Sequence, residues 1–190
     1  MKTKIFGLLM LTVITLFGCK EKEKETEMVM EETEAPDSAD FDEKVAVIRA
    51  FFQAHSDEDI EAQSALLADD MKWSPPAYNG NQWLGKGELV EALKGYHDGF
   101  DNIKYTEGIV MPDSTANGYW SGSVFPAANA NASASVIRVY GTWTATHTES
   151  GKEIGVKFFN LTSVNDDGKI VQSSDYFDVH GLAAQLEEEE

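Results

Sequence analysis

Apolar residues recur along this chain with two different periods, and the change of period divides the folded part in two. Val45, Ile48, Phe51 and Phe52 sit at helical spacing and predict a helix through about His55, opened by Asp40 or Asp42 as its cap. Ile60, Ala62, Leu66 and Leu67 predict a second helix, capped by Ser56 or Asp57 and ended by Asp69-Asp70. Met71-Lys72-Trp73 predicts a short strand stopped by Pro75-Pro76, and Asn79-Gly80 a turn in the loop that follows. Leu89, Val90, Leu93, Tyr96 and His97 predict a third helix over residues 86–100. Beyond it the pattern alternates, and strands are predicted over 103–111, 118–125, 136–148, 154–164 and 169–179. Turns fall between them at 112–118, 126–135, 149–152 and 165–168. Helices first and a meander of long strands after is an α+β layout. Gly122, Gly141 and Gly155 lie inside strands, where glycine marks bends and bulges. The expected fold is a curved antiparallel or mixed sheet wrapped by three N-terminal helices, enclosing a cone-shaped pocket.

The last strand carries the candidate chemistry. Alternation puts Val171, Ser173, Asp175, Phe177 and Val179 on one face. That face holds one carboxylate among small and apolar neighbours, and such a group is costly unless it is paired, protonated or used. Asp178, three residues on, faces the other way and is expected to cap a terminal helix over 180–186.

Charge and composition narrow the field. The chain has 190 residues, suiting one domain with appendages, and its 15 Lys and Arg against 33 Asp and Glu give a net charge of −18. Nucleic acid is excluded as a partner, because phosphate binding needs clustered cations. Ten Phe, six Tyr and four Trp supply a core and an aromatic cavity within it. No histidine pair has metal-ligand spacing, and no phosphate loop, dinucleotide motif or nucleophile elbow is present, so no metal and no cofactor are expected.

The N-terminus reads as an address. Lys2 and Lys4 precede an apolar run over 5–17, of signal-peptide length and short for a bilayer span. It ends Leu16-Phe17-Gly18-Cys19, which resembles the lipobox of bacterial lipoproteins, with cleavage after residue 18 and acylation of Cys19. Cys19 is the single cysteine, so no intramolecular disulfide can form. Residues 19–40 form a charged tether without aromatic residues, and the folded domain is expected over 41–186, before the acidic tail 187–190. Lys20-Glu21 directly after the cysteine resembles the export signals of surface lipoproteins in Bacteroidetes. The expectation is a protein anchored through Cys19 to the envelope bilayer of a Gram-negative bacterium, at the outer membrane, surface-exposed if that signal acts.

The ending GKIVQSSDYFDVHGLAAQL, the strand end Trp73-Ser74-Pro75-Pro76 and the three-helix opening together resemble the nuclear transport factor 2-like superfamily, in its SnoaL-like branch. The resemblance covers about residues 41–186. It implies the pocketed α+β fold, and it spans isomerases, cyclases, epoxide hydrolases, dehydratases, transport adaptors and proteins without chemistry. Asp175 matches a catalytic aspartate in the Asp-Tyr-Phe-Asp of limonene epoxide hydrolase. The Arg and second Asp that such an enzyme needs fall near Gly141 and Trp143, so that triad is broken. Where ketosteroid isomerase has its base, this chain has Ser74. Dehydratase-like chemistry would use His97 beside Asp175.

Three readings remain. The first is binding of a small apolar or amphipathic ligand without chemistry. The second is a cofactor-independent isomerase, cyclase or dehydratase using Asp175, with His97, as general acid or base. The third is a structural module that forms a homodimer through its open sheet face. Trp73, Tyr96, Trp143, Val156, Phe158, Asn160, Ser173 and Phe177 are the expected ligand contacts. Trp83 and Trp120 are expected in the core, Arg138 outward or in an interface, and His55 and His180 at helix ends as caps or surface groups.

Overall fold

The computed structural model describes residues 38–109, 118–122 and 133–187, all within one unit spanning Glu34–Glu190. Cys19, the signal segment, most of the tether, the turn at 112–117 and most of the turn at 126–135 lie outside the described residues. Among the described residues, four helices and six strands appear in the order α1 (Ser38–Ser56), α2 (Ile60–Ala65), β1 (Leu67–Ser74), α3 (Lys86–Gly99), β2 (Phe100–Glu107), β3 (Tyr119–Ser121), β4 (Val136–His147), β5 (Glu153–Val164), β6 (Ile170–Tyr176) and α4 (Val179–Leu186). The α+β expectation holds, with three helices before a curved sheet.

The sheet runs β1-β6-β5-β4-β2, with β3 paired to β4. Every pair is antiparallel except β1 with β6. That parallel pair sets Trp73 opposite Ser173 and brings the first strand beside the last. β4 and β5 pair without a break from Val136↔Ser163 to Thr146↔Glu153 and form the spine of the sheet. The main core gathers Val45, Ile48 and Phe52 of α1, Leu89 and Leu93 of α3, and Met71, Trp73, Ile137, Val139, Phe158 and Ile170 of the sheet.

Local boundaries differ from the sequence expectation for identifiable reasons. Asp40 and Asp42 lie inside α1, which is already helical at Ser38. Asp59, not Ser56 or Asp57, caps α2 by accepting the Ala62 N–H at 2.9 Å. Asp69 and Asp70 do not end a helix; they sit exposed in β1, which starts four residues earlier than expected because Leu67 pairs with Ile170. Asp178 caps α4 as expected, accepting the Gly181 N–H at 2.8 Å. Trp83 is about half exposed (48%) in the loop before α3 and Trp120 is half-buried edge-on to Tyr140, so neither is part of the core.

The face assignment of β6 is right at its C-terminal half and wrong at its start. Val164 pairs with Ile170 and Ser163 with Gln172, so Val171 is an unpaired bulge residue. The bulge turns Ile170 inward in its place, and Ser173, Asp175 and Phe177 keep the inward face. Val179 is exposed and opens α4.

Gly141 acts by its missing side chain rather than by bending the strand. A Cβ there would fall 2.4 Å from the Tyr105 ring, whose hydroxyl donates to the Tyr140 carbonyl at 2.8 Å and whose ring packs on Phe52 and Trp143. Gly141→Ala should therefore force Tyr105 out of its place and cost about 1–3 kcal/mol in urea unfolding. A variant within about 0.5 kcal/mol of the wild type would show that Tyr105 can move freely.

Candidate functional site

A cavity of about 120 Å³ lies between the inner sheet face and α1, α3 and α4. Its axis follows β5, which contributes Ile154, Val156, Phe158, Asn160 and Thr162 by strand alternation. Phe51, Phe52 and His55 come from α1, Leu89, Leu93 and Tyr96 from α3, and Leu182 from α4. Gln185 straps α4 to β5 by exchanging two hydrogen bonds with the Gly155 backbone, at 3.0 and 3.1 Å. One water needs roughly 10–15 Å³ on this measure, so the space suits a ligand on the order of ten non-hydrogen atoms.

Asp175 forms the polar end. Its Oδ2 accepts from Trp73 Nε1 at 2.6 Å, and its Oδ1 accepts from Asn160 Nδ2 at 2.7 Å. Asn160 is oriented from behind, because Thr162 donates its hydroxyl to Asn160 Oδ1, which turns the amide nitrogen toward Asp175 and Ser173. The register makes this possible: Asn160 lies opposite Asp175 across the β5–β6 ladder, and Trp73 reaches across from β1. Burial pushes the Asp175 carboxyl up from the ordinary carboxylate value, while the hydrogen bonds from Trp73, Asn160 and Ser173 pull it back down. Tyr96 faces the same space, and burial and then the Asp175 charge raise its phenol.

A second polar feature joins the ends of α1 and α3. His55 Nδ1 lies 2.8 Å from His97 Nε2, so one ring donates and the other accepts. Burial first, and the neighbouring His97 second, push His55 down to about 3. Gln63 opposes this weakly, although its Oε1 does not meet hydrogen-bond geometry. His97 is also lowered by burial, with Glu58 and Asp98 acting against it.

Of the ten residues expected at the site, eight line the cavity: Asp175, Tyr96, Trp143, Val156, Phe158, Asn160, Ser173 and Phe177. Two do not. Trp73 is buried (6% exposed) behind the carboxylate and serves it as a donor, because its own strand lies at the sheet edge beyond β6. His97 stands behind His55, so His55 is the imidazole at the cavity wall and not a helix-end surface group. Apolar spacing in α1 contained the signal for this, since His55 follows Phe51 and Phe52 by four and three residues on the same inward stripe. Arg138 is half-buried against β3, donating to the Ser121 carbonyl at 3.3 Å. His180 is exposed in α4.

No family model matches the chain, and no curated protein matches it in sequence. Solved structures do match in shape. A candidate polyketide cyclase from Xanthomonas campestris pv. campestris superposes with a TM-score of 0.57 at 14% identity, over 78% of this chain and 99% of that one. An NTF2-like protein from Burkholderia thailandensis gives 0.51 at 15%, over 76% and 98%. A protein of ketosteroid isomerase-like fold from Catenulispora acidiphila, in complex with trimethylamine, gives 0.51 at 13%, over 73% and 90%. At these identities the likeness establishes the fold alone: the chain has the nuclear transport factor 2-like fold.

The histidine pair gives a signed pH dependence. An unfolded histidine titrates near ~6.5, so between about 6.5 and about 3 the unfolded chain binds more protons at His55 than the native one. The stability held by neutral His55 is complete above that window and lost as pH falls through it. Between pH 7 and 5 this amounts to about 2 kcal/mol. His55→Phe should flatten the acid side of a melting-temperature profile accordingly. Parallel profiles for variant and wild type would show that His55 stays solvated.

Proposed function

We propose that this domain binds a small, mostly apolar or amphipathic molecule inside the cavity, with Asp175 as its polar anchor. The observation that carries this is a cavity lined by aromatic and aliphatic side chains and holding a single carboxylate. A purely structural module would fill that space with its own side chains. Native mass spectrometry of protein purified from its own source should show a retained mass in addition to the chain, on the order of ten non-hydrogen atoms. Bare protein in every charge state, from membranes as well as from soluble fractions, would contradict the reading.

One observation favours a second reading, in which Asp175 is a general acid or base in a cofactor-independent isomerase, cyclase or dehydratase. Its carboxyl is raised by burial above the ordinary carboxylate value, as a proton-transferring acid requires, and the Tyr96 phenol lines the same cavity within reach of its charge. The likeness to a candidate polyketide cyclase supports the same direction. His97 has no direct part in this reading, since His55 stands between it and the cavity.

The homodimer is proposed on the outward sheet face. There Trp120, Tyr140, Phe159 and Tyr176 form an aromatic row across β3, β4, β5 and β6, with ring centroids 4.7, 4.7 and 5.5 Å apart. Tyr176 is 52% exposed at its end.

The anchor is proposed on the sequence alone: acylation at Cys19, with the charged tether holding the domain at the outer membrane of a Gram-negative bacterium. Among the described residues no helix is long and apolar enough to cross a membrane. Cells fed a radioactive fatty acid should label the wild-type chain and leave Cys19→Ala unlabelled; a labelled Cys19→Ala protein that stays in membranes would refute the anchor.

A further inference from the structure

The charge and hydrogen-bonding state of the cavity restrict the ligand further. No Lys or Arg lines it, and its one carboxyl group is that of Asp175. His55 adds no positive charge, since burial keeps it neutral above about 3. An anionic ligand would thus meet a carboxylate in an apolar space with nothing to offset it.

The carboxylate's hydrogen-bonding capacity is already largely taken. It offers about four lone-pair positions, and the donors of Trp73, Asn160 and Ser173 are directed at it. Those donors are held by β1, β5 and β6 and are not free to leave. Its charge, by contrast, has no cation anywhere in the cavity to balance it. The best complement is a group that brings positive charge and needs few hydrogen bonds.

The aromatic walls have the matching property. Phe52, Trp143 and Phe158 all line the cavity, and their ring planes stand mutually near-perpendicular, at 78°, 77° and 77°, with centroids 5.3–6.1 Å apart. They pack edge to face on one another at one wall of the cavity. Aromatic faces attract an organic cation through their quadrupoles, and most strongly where water is excluded. Phe177 and Tyr96 add further rings on the Asp175 side.

We propose that the cavity binds a small alkylated ammonium ion, with Asp175 as counter-charge and the aromatic walls of Phe52, Trp143 and Phe158 holding its methyl or methylene groups. This rests on the ligand-binding reading above and names its ligand class. It also gives the buried carboxylate the partner that the chain itself withholds: the bound cation favours the ionised form, which burial alone disfavours.

The test compares choline with 3,3-dimethylbutan-1-ol, which has the same shape and carries carbon in place of the charged nitrogen. Both are titrated into the full-length wild-type protein by calorimetry and by thermal shift. Choline should bind at least tenfold more tightly. Asp175→Asn should abolish that preference while leaving the alcohol's affinity within a few-fold. That variant turns one acceptor into an NH₂ facing the Trp73 or Asn160 donor and risks misfolding, so a wild-type measurement stands beside it. Between about pH 4 and about pH 8 both probes keep a constant charge. Choline affinity should rise with pH as Asp175 ionises, and the alcohol's should not. Of the other groups that face or adjoin Asp175, Trp73, Asn160 and Ser173 do not titrate there, the Tyr96 phenol is raised and His55 is neutral; His97, bonded to His55 and lowered by burial, is the neighbour whose charge changes, so the same rise should persist in His97→Gln, and its loss there would assign the rise to His97 and overturn the proposal. Equal affinities, or a preference for the alcohol, overturn the cationic assignment and leave cavity binding intact. Binding of neither probe also overturns it, and the ligand-binding reading falls with it only if the natively purified protein carries no ligand either.

Discussion

A carboxylate set among apolar side chains and met by hydrogen-bond donors from both neighbouring strands is the constraint from which most of this structure's local choices follow. Left without partners, Asp175 would have to give up its charge or unfold the strand that carries it. The fold answers with donors from both neighbouring strands. Trp73 from β1 and Asn160 from β5 approach its two oxygens separately, at 2.6 and 2.7 Å. Thr162 fixes the Asn160 amide, so the network is ordered two shells deep in a region where alternative orientations would leave a buried group unpaired. Burial still outweighs these bonds, and the carboxyl remains raised. A site in that condition is poised to gain from a ligand rather than being saturated by the protein.

The topology explains how so few elements suffice. The single parallel pairing in the sheet, β1 with β6, places the strand that follows the helical half next to the strand that ends the meander. Trp73 and Asp175 are thus brought together across the full length of the domain. The long β4–β5 pair provides the curved floor, and Gln185 ties α4 across β5 so that Leu182 closes one side. The paired imidazoles of His55 and His97 do for α1 and α3 what the Asp175 network does for the strands: they satisfy polar atoms at a helix–helix contact that is otherwise aromatic.

Much of this was legible in the sequence, and the parts that were not share a cause. Strand alternation alone placed Ser173, Asp175 and Phe177 on the inward face, and turn chemistry placed the Asp178 cap. Val171 failed because a bulge is a mismatch between two strands, and one strand's pattern cannot reveal it. The start of β1 failed for the same reason, since Asp69 and Asp70 read as a helix end until Leu67 is seen paired with Ile170. Trp73 belongs to the site in a different role from the one its sequence suggests. A large indole near a carboxylate reads as a ligand contact, whereas its position at the sheet edge makes it a donor from behind. His55 reads as a surface group because it lies in the last turn of α1, but the aromatic stripe of that helix carries it inward, ahead of His97.

Asp175 is a cavity carboxyl raised by burial and restrained by Trp73 and Asn160. The direct measurement is a pH titration of the Asp175 side-chain carboxyl carbon by NMR, with ¹³C-labelled aspartate and the assignment made by the Asp175→Asn spectrum. The account predicts a midpoint above the ordinary aspartate value of ~3.9, and a further rise in Trp73→Phe, where one stabilising donor is gone. A midpoint at or below the ordinary value, unmoved in Trp73→Phe, would mean that the carboxylate is solvated and that the cavity is not organised around it.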